Sequence, residues 1–329
     1  MDSALETLWT LFYSYALYSP PTIGLITAPI LRCLWVIFCM LIALQALNWF
    51  VGGKIKKDGL GTRLATWWLI LAPLVLGFAL GFWGILILNF ALSCRSLLEF
   101  FRAVPLRDSD SGLFAWLIIA AICQYFWVAL PWLPMAMIFI PIYFLLIYPI
   151  RMLISGNPQH FLIHMGSVHW ASMSFIYGLS HFSLLLTLPT SHIAGSAGAL
   201  VLLLILTESN DALQYLFGKW LGKTKISPKF SPNKTWEGFL GGMLSTVLLA
   251  LLLGPLLIDL PAEILLLVGG VIATGGFFGD LVLSAIKRDV GIKDYGTLLP
   301  GHGGLLDRLD SLIYTTPIFF HIYYFFSAR

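Results

Sequence analysis

The sequence predicts an all-α polytopic integral membrane protein of about ten transmembrane helices, with a polar site at the cytoplasmic face of its C-terminal half. Three observations predict it. Of 329 residues, 59% are hydrophobic and only 11% charged, and the mean hydropathy is +0.88. The apolar residues fall in runs of about 18 or more, the length needed to cross the hydrocarbon layer. Between the runs lie short loops in which lysine and arginine gather at alternate positions, the mark of the cytoplasmic side.

Taken in order, the residues up to Pro21 read as a short amphipathic segment, and a first span covers 29–51. A basic loop follows, with Lys54, Lys56, Lys57 and Arg63. The run 64–101 is too long for one span and is expected to break around Gly77, Gly81 and Gly84. Arg102, Arg107, Asp108 and Asp110 make the next polar loop, and spans at 113–130 and 135–153 flank Pro131 and Pro134. Further spans cover 161–188, 194 to about 211, 238–257, 264–286 and 309–326. In this arrangement the basic loops at 54–63, 102–107, 151, 219–234 and 287–308 share one side, and both termini lie on the other. The chain divides into an N-terminal membrane segment, 1–63, and a membrane domain, 64–329.

Composition excludes several classes. A net charge of +3 gives no support for nucleic-acid binding. Cys33, Cys39, Cys94 and Cys123 form no CxxC pair, so no disulfide framework or structural zinc site is indicated. The start, MDSALETL, lacks the basic region of a signal peptide, so the first span is expected to anchor itself.

Chemistry is expected in the second half, where polar residues enter the helices. One cluster is Glu208-Ser209-Asn210-Asp211, with Lys219 and Lys223 behind it; a second runs from Ser231 through Lys234 and Glu237 to Gly238. The densest run of charge and glycine is 284–310, SAIKRDVGIKDYGTLLPGHGGLLDRLD. Asp280 sits in an apolar helix just before it. Ionisable residues at membrane depth are costly and mark function. Asp211, Asp280, Asp307 and Asp310 would supply hard oxygen ligands suited to magnesium. Lys219, Lys234, Lys287, Lys293, Arg288 and Arg308 would meet phosphates, and Gly301, Gly303 and Gly304 let backbone N–H groups approach an anion. Together these are parts for phosphoryl or nucleotidyl transfer at a membrane surface, with a lipid as one substrate. The plainer alternatives are an ion pair between Asp280 and Lys287, a helix-end charge at Asp211, and lysines 223, 225 and 229 as topology markers. Gly218-Lys219 to Thr224 imitates a phosphate loop but has the wrong glycine spacing. His160, His164, His169 and His181 lack an acidic partner and read as packing or water-facing groups.

Ser284-Ala-Ile-Lys287-Arg288, then Lys293-Asp294, then Pro300-Gly-His302-Gly303-Gly304-Leu-Leu-Asp307-Arg308-Leu-Asp310 resembles the signature of the phosphatidate cytidylyltransferases, or CDP-diacylglycerol synthases. Asn210-Asp211 and Ser231-Pro-Asn-Lys234-Thr-Trp-Glu237-Gly238 are similar to the family's second block, and the likeness covers roughly 64–327. The resemblance implies transfer of CMP from CTP to phosphatidate, giving CDP-diacylglycerol and pyrophosphate for phospholipid synthesis. It implies Asp280 and Asp307 as metal ligands with Asp310 close by, holding Mg²⁺ and leaving room for a second mono- or divalent cation. Lys287, Arg288, Lys293, His302 and Arg308 match the family's polar site positions. Asn210, Asp211, Lys219, Ser231, Lys234, Ser284, Asp294, Gly303 and Gly304 are the expected substrate contacts. The expected setting is a bacterial inner membrane, with the site toward the cytoplasm. Residues 1–63 do not match the family core; they leave open a different lipid phosphate and a partner or second protomer, hence a homodimer. The competing readings are a CTP-dependent kinase of a polyprenol-type lipid, and a transporter using Asp211 and Asp280.

Overall fold

The computed structural model describes residues 25–50, 60–104, 112–154, 158–299 and 303–327. The segment up to Pro21, Lys54, Lys56, Lys57, Arg107, Asp108, Asp110, Pro300, Gly301 and His302 lie outside the described residues.

The chain is a bundle of helices. The first three are α1 (Ala28–Phe50), α2 (Leu60–Ala79) and α3 (Gly81–Ala103). Of the three glycines expected to break the long run, Gly81 does so, at φ +77°; glycine reaches the left-handed region without a Cβ penalty. Next come α4 (Leu113–Ala129) and α5 (Leu133–Ile154), the latter with a π-helical stretch at Phe139–Phe144. Helix α6 joins Phe161–Ala171, a π-helical stretch at Ser172–Gly178 and Leu179–Leu184. After α7 (Ala197–Leu221), the lysine-rich loop folds as an antiparallel hairpin, β1 (Lys225–Ser227) with β2 (Ser231–Thr235), a small exception to the all-helical expectation. Helices α8 (Trp236–Leu257), α9 (Ala262–Asp289), the single turn α10 (Leu306–Leu309) and α11 (Leu312–Ser327) complete the chain. Among the described residues, six helices are long and apolar enough to cross a membrane; apolar helices at 64–79 and 113–129 are shorter. That measure is narrower than the ten expected. The four cysteines are free.

Helix α8 packs against α7 and α9, and α11 packs against α9 and α7. Their directions alternate, so the end of α7, the start of α8, the end of α9 and the start of α11 meet at one end of the bundle. Helix α6 joins this group to α3 and α4. Small residues let the helices touch where lipid offers no hydrophobic drive. A Cβ on Gly238 would lie 2.7 Å from the Gln214 carbonyl oxygen and 2.9 Å from Gly218 Cα, both backbone atoms. Gly238→Val therefore forces α7 and α8 apart. Overpacking of this kind costs about 1–3 kcal/mol, and the thermal midpoint in detergent is expected to fall; an unchanged midpoint would show that the two helices yield freely.

Several polar side chains inside the bundle bond to groups on neighbouring helices, because hydrocarbon offers them nothing. Asn89 Nδ2 donates to the Leu179 carbonyl at 2.7 Å and to Ser183 Oγ at 3.1 Å, fixing α3 to α6. Gln124 Nε2 donates to the Ala136 carbonyl at 2.8 Å and to Ser180 Oγ at 3.1 Å. The first half thus carries more internal polarity than its sequence suggested. Asn210 is fully buried. Its Nδ2 faces the Ala273 carbonyl at 3.4 Å, while its Oδ1 accepts from Gln214 Nε2 at 3.0 Å and Thr246 Oγ1 at 3.2 Å. It ties α7, α8 and α9 together. Expected as a substrate contact, it is enclosed by these three helices.

Candidate active site

Two lysine–carboxylate pairs occupy the end of the bundle where α7, α8, α9 and α11 meet. In the first, Lys287 Nζ lies 2.8 Å from Asp307 Oδ1, with the side chains 11% and 4% exposed. The other Asp307 oxygen accepts the backbone N–H of Tyr295 and of Gly304, both at 2.9 Å. One carboxylate thus closes the loop between α9 and α10 on itself and holds the α9 lysine. Gly303, at φ +84°, makes the turn: a Cβ there would stand 2.9 Å from Asp307 Oδ2 and 3.3 Å from Asp294 Cβ. Leu299 N donates to the Gly303 carbonyl at 2.9 Å, pinning the loop's other side. Tyr295 spreads beneath the Lys287 ammonium, ring centroid 5.7 Å away. Burial, then the charges of Asp307 and Asp310, push its hydroxyl above the usual tyrosine range, so it stays protonated at neutral pH.

In the second pair, Lys234 Nζ lies 2.8 Å from Asp280 Oδ2 and 4.4 Å above the Phe277 ring. Asp280 Oδ1 accepts the Ser284 hydroxyl at 3.1 Å. Strand β2 delivers Lys234; Thr235, the next residue, caps α8 by accepting Gly238 N–H at 3.2 Å. The ion pair weighed from sequence, Asp280 with Lys287, is not the one formed. Each side chain has instead found a partner on another element.

A third cluster is acidic. Asp211 Oδ2 accepts the Ser311 hydroxyl at 2.7 Å, and Asp310 Oδ1 accepts its neighbour Ser311 N–H at 2.8 Å. The charges of Asp211, Asp280 and Asp310 act on one another, and Arg308 acts on Asp211, Asp310 and Glu208. Carboxylate oxygens of this kind suit a hard divalent cation. Yet among the described residues no three acidic, histidine or cysteine side chains already converge on one point. Asp307, expected among the metal ligands, has both oxygens engaged by Lys287 and two amides.

The remaining expected residues are more scattered. Arg288 is exposed and points its guanidinium at the Phe230 carbonyl, 3.4 Å, and the Ile292 carbonyl, 3.3 Å. Lys293, Asp294 and Arg308 are exposed on the loop and on α10; Lys219 is exposed near the end of α7, and Ser231 is half-buried at the start of β2. Sequence reasoning missed Glu99 of α3, whose Oε2 accepts the Leu306 N–H at 2.9 Å, one residue before Asp307. Glu99 is 1% exposed. An acid near the end of an apolar run, one helical turn after Arg95, was the signal available.

The model of the cytidylyltransferase family matches residues 61–326. The chain belongs to the cytidylyltransferase family. Over 293 residues it is 38% identical to YnbB of Escherichia coli (strain K12), an uncharacterised protein, covering 88% of this chain and 97% of that one. It is 48% identical over 110 residues to the phosphatidate cytidylyltransferase of Staphylococcus epidermidis, 33% of this chain and 42% of that one. It is 43% identical over 120 residues to that of Bacillus subtilis, 36% of this chain and 45% of that one. The matched stretch spans less than half the length of these two enzymes. As a cytidylyltransferase family member with long apolar helices, the protein is an integral membrane protein.

Proposed function

We propose that this cytidylyltransferase moves CMP from CTP to phosphatidate, releasing pyrophosphate and forming CDP-diacylglycerol. The observation that carries the reading is the pair of lysines, Lys287 and Lys234, each held at one bundle end by a single carboxylate, beside a glycine turn. Asp307 and Asp280 hold both ammonium groups in place at 2.8 Å until phosphates take the carboxylates' place.

In the proposed step, a phosphate oxygen of the lipid attacks the α-phosphorus of CTP. A new P–O bond forms in line as the bond to the β-phosphate oxygen breaks, and pyrophosphate leaves with the electron pair. Lys287 and Lys234 offset the charge of the reacting phosphates, and the exposed Arg288, Lys293 and Arg308 meet the polyphosphate from the water side. No covalent nucleophile is needed. Magnesium is part of the proposal: Asp211, Asp280 and Asp310 would hold it, and it would neutralise nucleotide phosphates. We also place the site toward the cytoplasm of a bacterial inner membrane, supported by the lysines that crowd this end.

The test uses purified protein in lipid-containing micelles with Mg²⁺, phosphatidate and CTP labelled at the α-phosphate. Label entering the lipid phase with release of pyrophosphate supports the reading. Label remaining in water as CDP, with a lipid alcohol as acceptor, would replace it by a CTP-dependent kinase. Transfer to another lipid phosphate but not to phosphatidate would keep the chemistry and change the acceptor.

A further inference from the structure

We infer that Glu99, supported by Arg95, is a positioning residue that anchors the Asp307 loop from the opposite half of the chain. The inference rests on the proposed reading of the site for what the anchor achieves, but not for the anchor itself.

Both carboxylate oxygens of Glu99 are committed. Oε2 accepts Leu306 N–H at 2.9 Å, across 207 positions of sequence. Oε1 lies 3.1 Å from both Nε and Nη2 of Arg95, one turn earlier on α3. The loop comes close to this carboxylate because two of its residues have no side chain. A Cβ on Gly304 would stand 2.6 Å from Glu99 Oε2, and one on Gly296 3.2 Å from Oε1. The same short stretch is gripped from its other side by Asp307, through Tyr295 N–H and Gly304 N–H. Two acids thus hold one loop, one from within it and one from α3.

The carboxylate is not needed to seat α3. The neighbouring Phe100 ring already packs on Trp170 at 5.4 Å, Phe175 at 5.3 Å and Tyr295 at 6.3 Å. A buried acid adds a desolvation cost that apolar packing would not carry, and Arg95 offsets it. What the acid adds is direction: it fixes the N-terminal turn of α10, and with it the angle at which Asp307 meets Lys287. Misplacement of a reacting group by about 1 Å costs about 10²-fold in rate.

Wild type, Glu99→Ala, Glu99→Gln and Arg95→Ala are compared by amide hydrogen exchange and by turnover of α-labelled CTP with phosphatidate. In Glu99→Ala, exchange across 295–308 is expected to rise about tenfold or more while the long helices keep their protection. Its kcat is expected to fall about 10²-fold, with KM for CTP within about twofold. Glu99→Gln keeps an oxygen for Leu306 N–H and is expected to restore most of the protection and at least about a tenth of kcat. Arg95→Ala is expected to fall between the two, and it decides the matter if Glu99→Ala does not fold. Unchanged exchange at 295–308 in Glu99→Ala and Arg95→Ala would overturn the anchor. So would loss of protection spread evenly over every helix, which is the mark of a general fold role. If wild type itself does not turn over CTP, the proposed reaction fails, while the exchange data still decide the anchor.

Discussion

Asp307→Asn is expected to remove CMP transfer, lowering turnover by about 10²-fold or more, while the helices still form. The carboxylate serves three donors at once: Lys287 Nζ at 2.8 Å and the N–H groups of Tyr295 and Gly304 at 2.9 Å. An amide in its place must turn an NH₂ toward either the ammonium or the two N–H groups, donor against donor. Lys287, with its side chain 11% exposed, is then left without a counter-ion. Removing one partner of such a buried pair typically costs about 3–5 kcal/mol, and about 2.7 kcal/mol in a barrier is already a factor of about 10². The double variant Lys287→Ala/Asp307→Ala separates stability from chemistry. It leaves no unpaired charge, so its thermal midpoint is expected to recover above that of Asp307→Asn, yet it stays inactive. Turnover retained in Asp307→Asn would remove this pair from the mechanism.

Lys234→Gln and Asp280→Asn are each expected to lower kcat/KM by about 10²-fold, the scale on which one charge-stabilising group contributes to a transition state. The double variant is expected to be no worse than the poorer single one. Lys234 and Asp280 lie 2.8 Å apart and act as a unit, so their losses should not add. A steady-state double-mutant cycle checks this. Additive losses would mean that lysine and acid meet different substrates, and would favour a cation already resting on Asp280. The stability effect should be smaller than at Asp307, because the Asp280 side chain is 33% exposed and water screens the pair.

How far the sequence alone reaches can be judged at single residues. The apolar run 64–101 had to break near one of three glycines, and Gly81 at φ +77° is where it does. The charged, glycine-rich stretch from Ser284 to Asp310 marked the site, since such residues at helix ends in a membrane are costly without a use. Lys287 and Asp307 were both legible as site residues there, but not as each other's partner. Asp280 was weighed as the mate of Lys287, two turns along the same helix, and it pairs instead with Lys234 from a hairpin that read as a plain loop. Asn210 stood out by its motif, but the sequence did not show that it is a buried tie among three helices. Glu99 was invisible as a site residue, because its sequence neighbours Arg95 and Arg102 give no sign that it meets a loop 207 positions away.

By itself, then, the sequence determined the class of molecule, the order of its helices and the stretch where chemistry is expected. These depend on local composition and on the length of apolar runs, which the bilayer reads directly. Tertiary structure alone decided which acid holds which lysine, and that α3 of the first half reaches the Asp307 loop. Those choices depend on which helix ends meet. Lipid-facing and bundle-facing surfaces are both apolar here, so no periodicity in the sequence records how the helices turn toward one another.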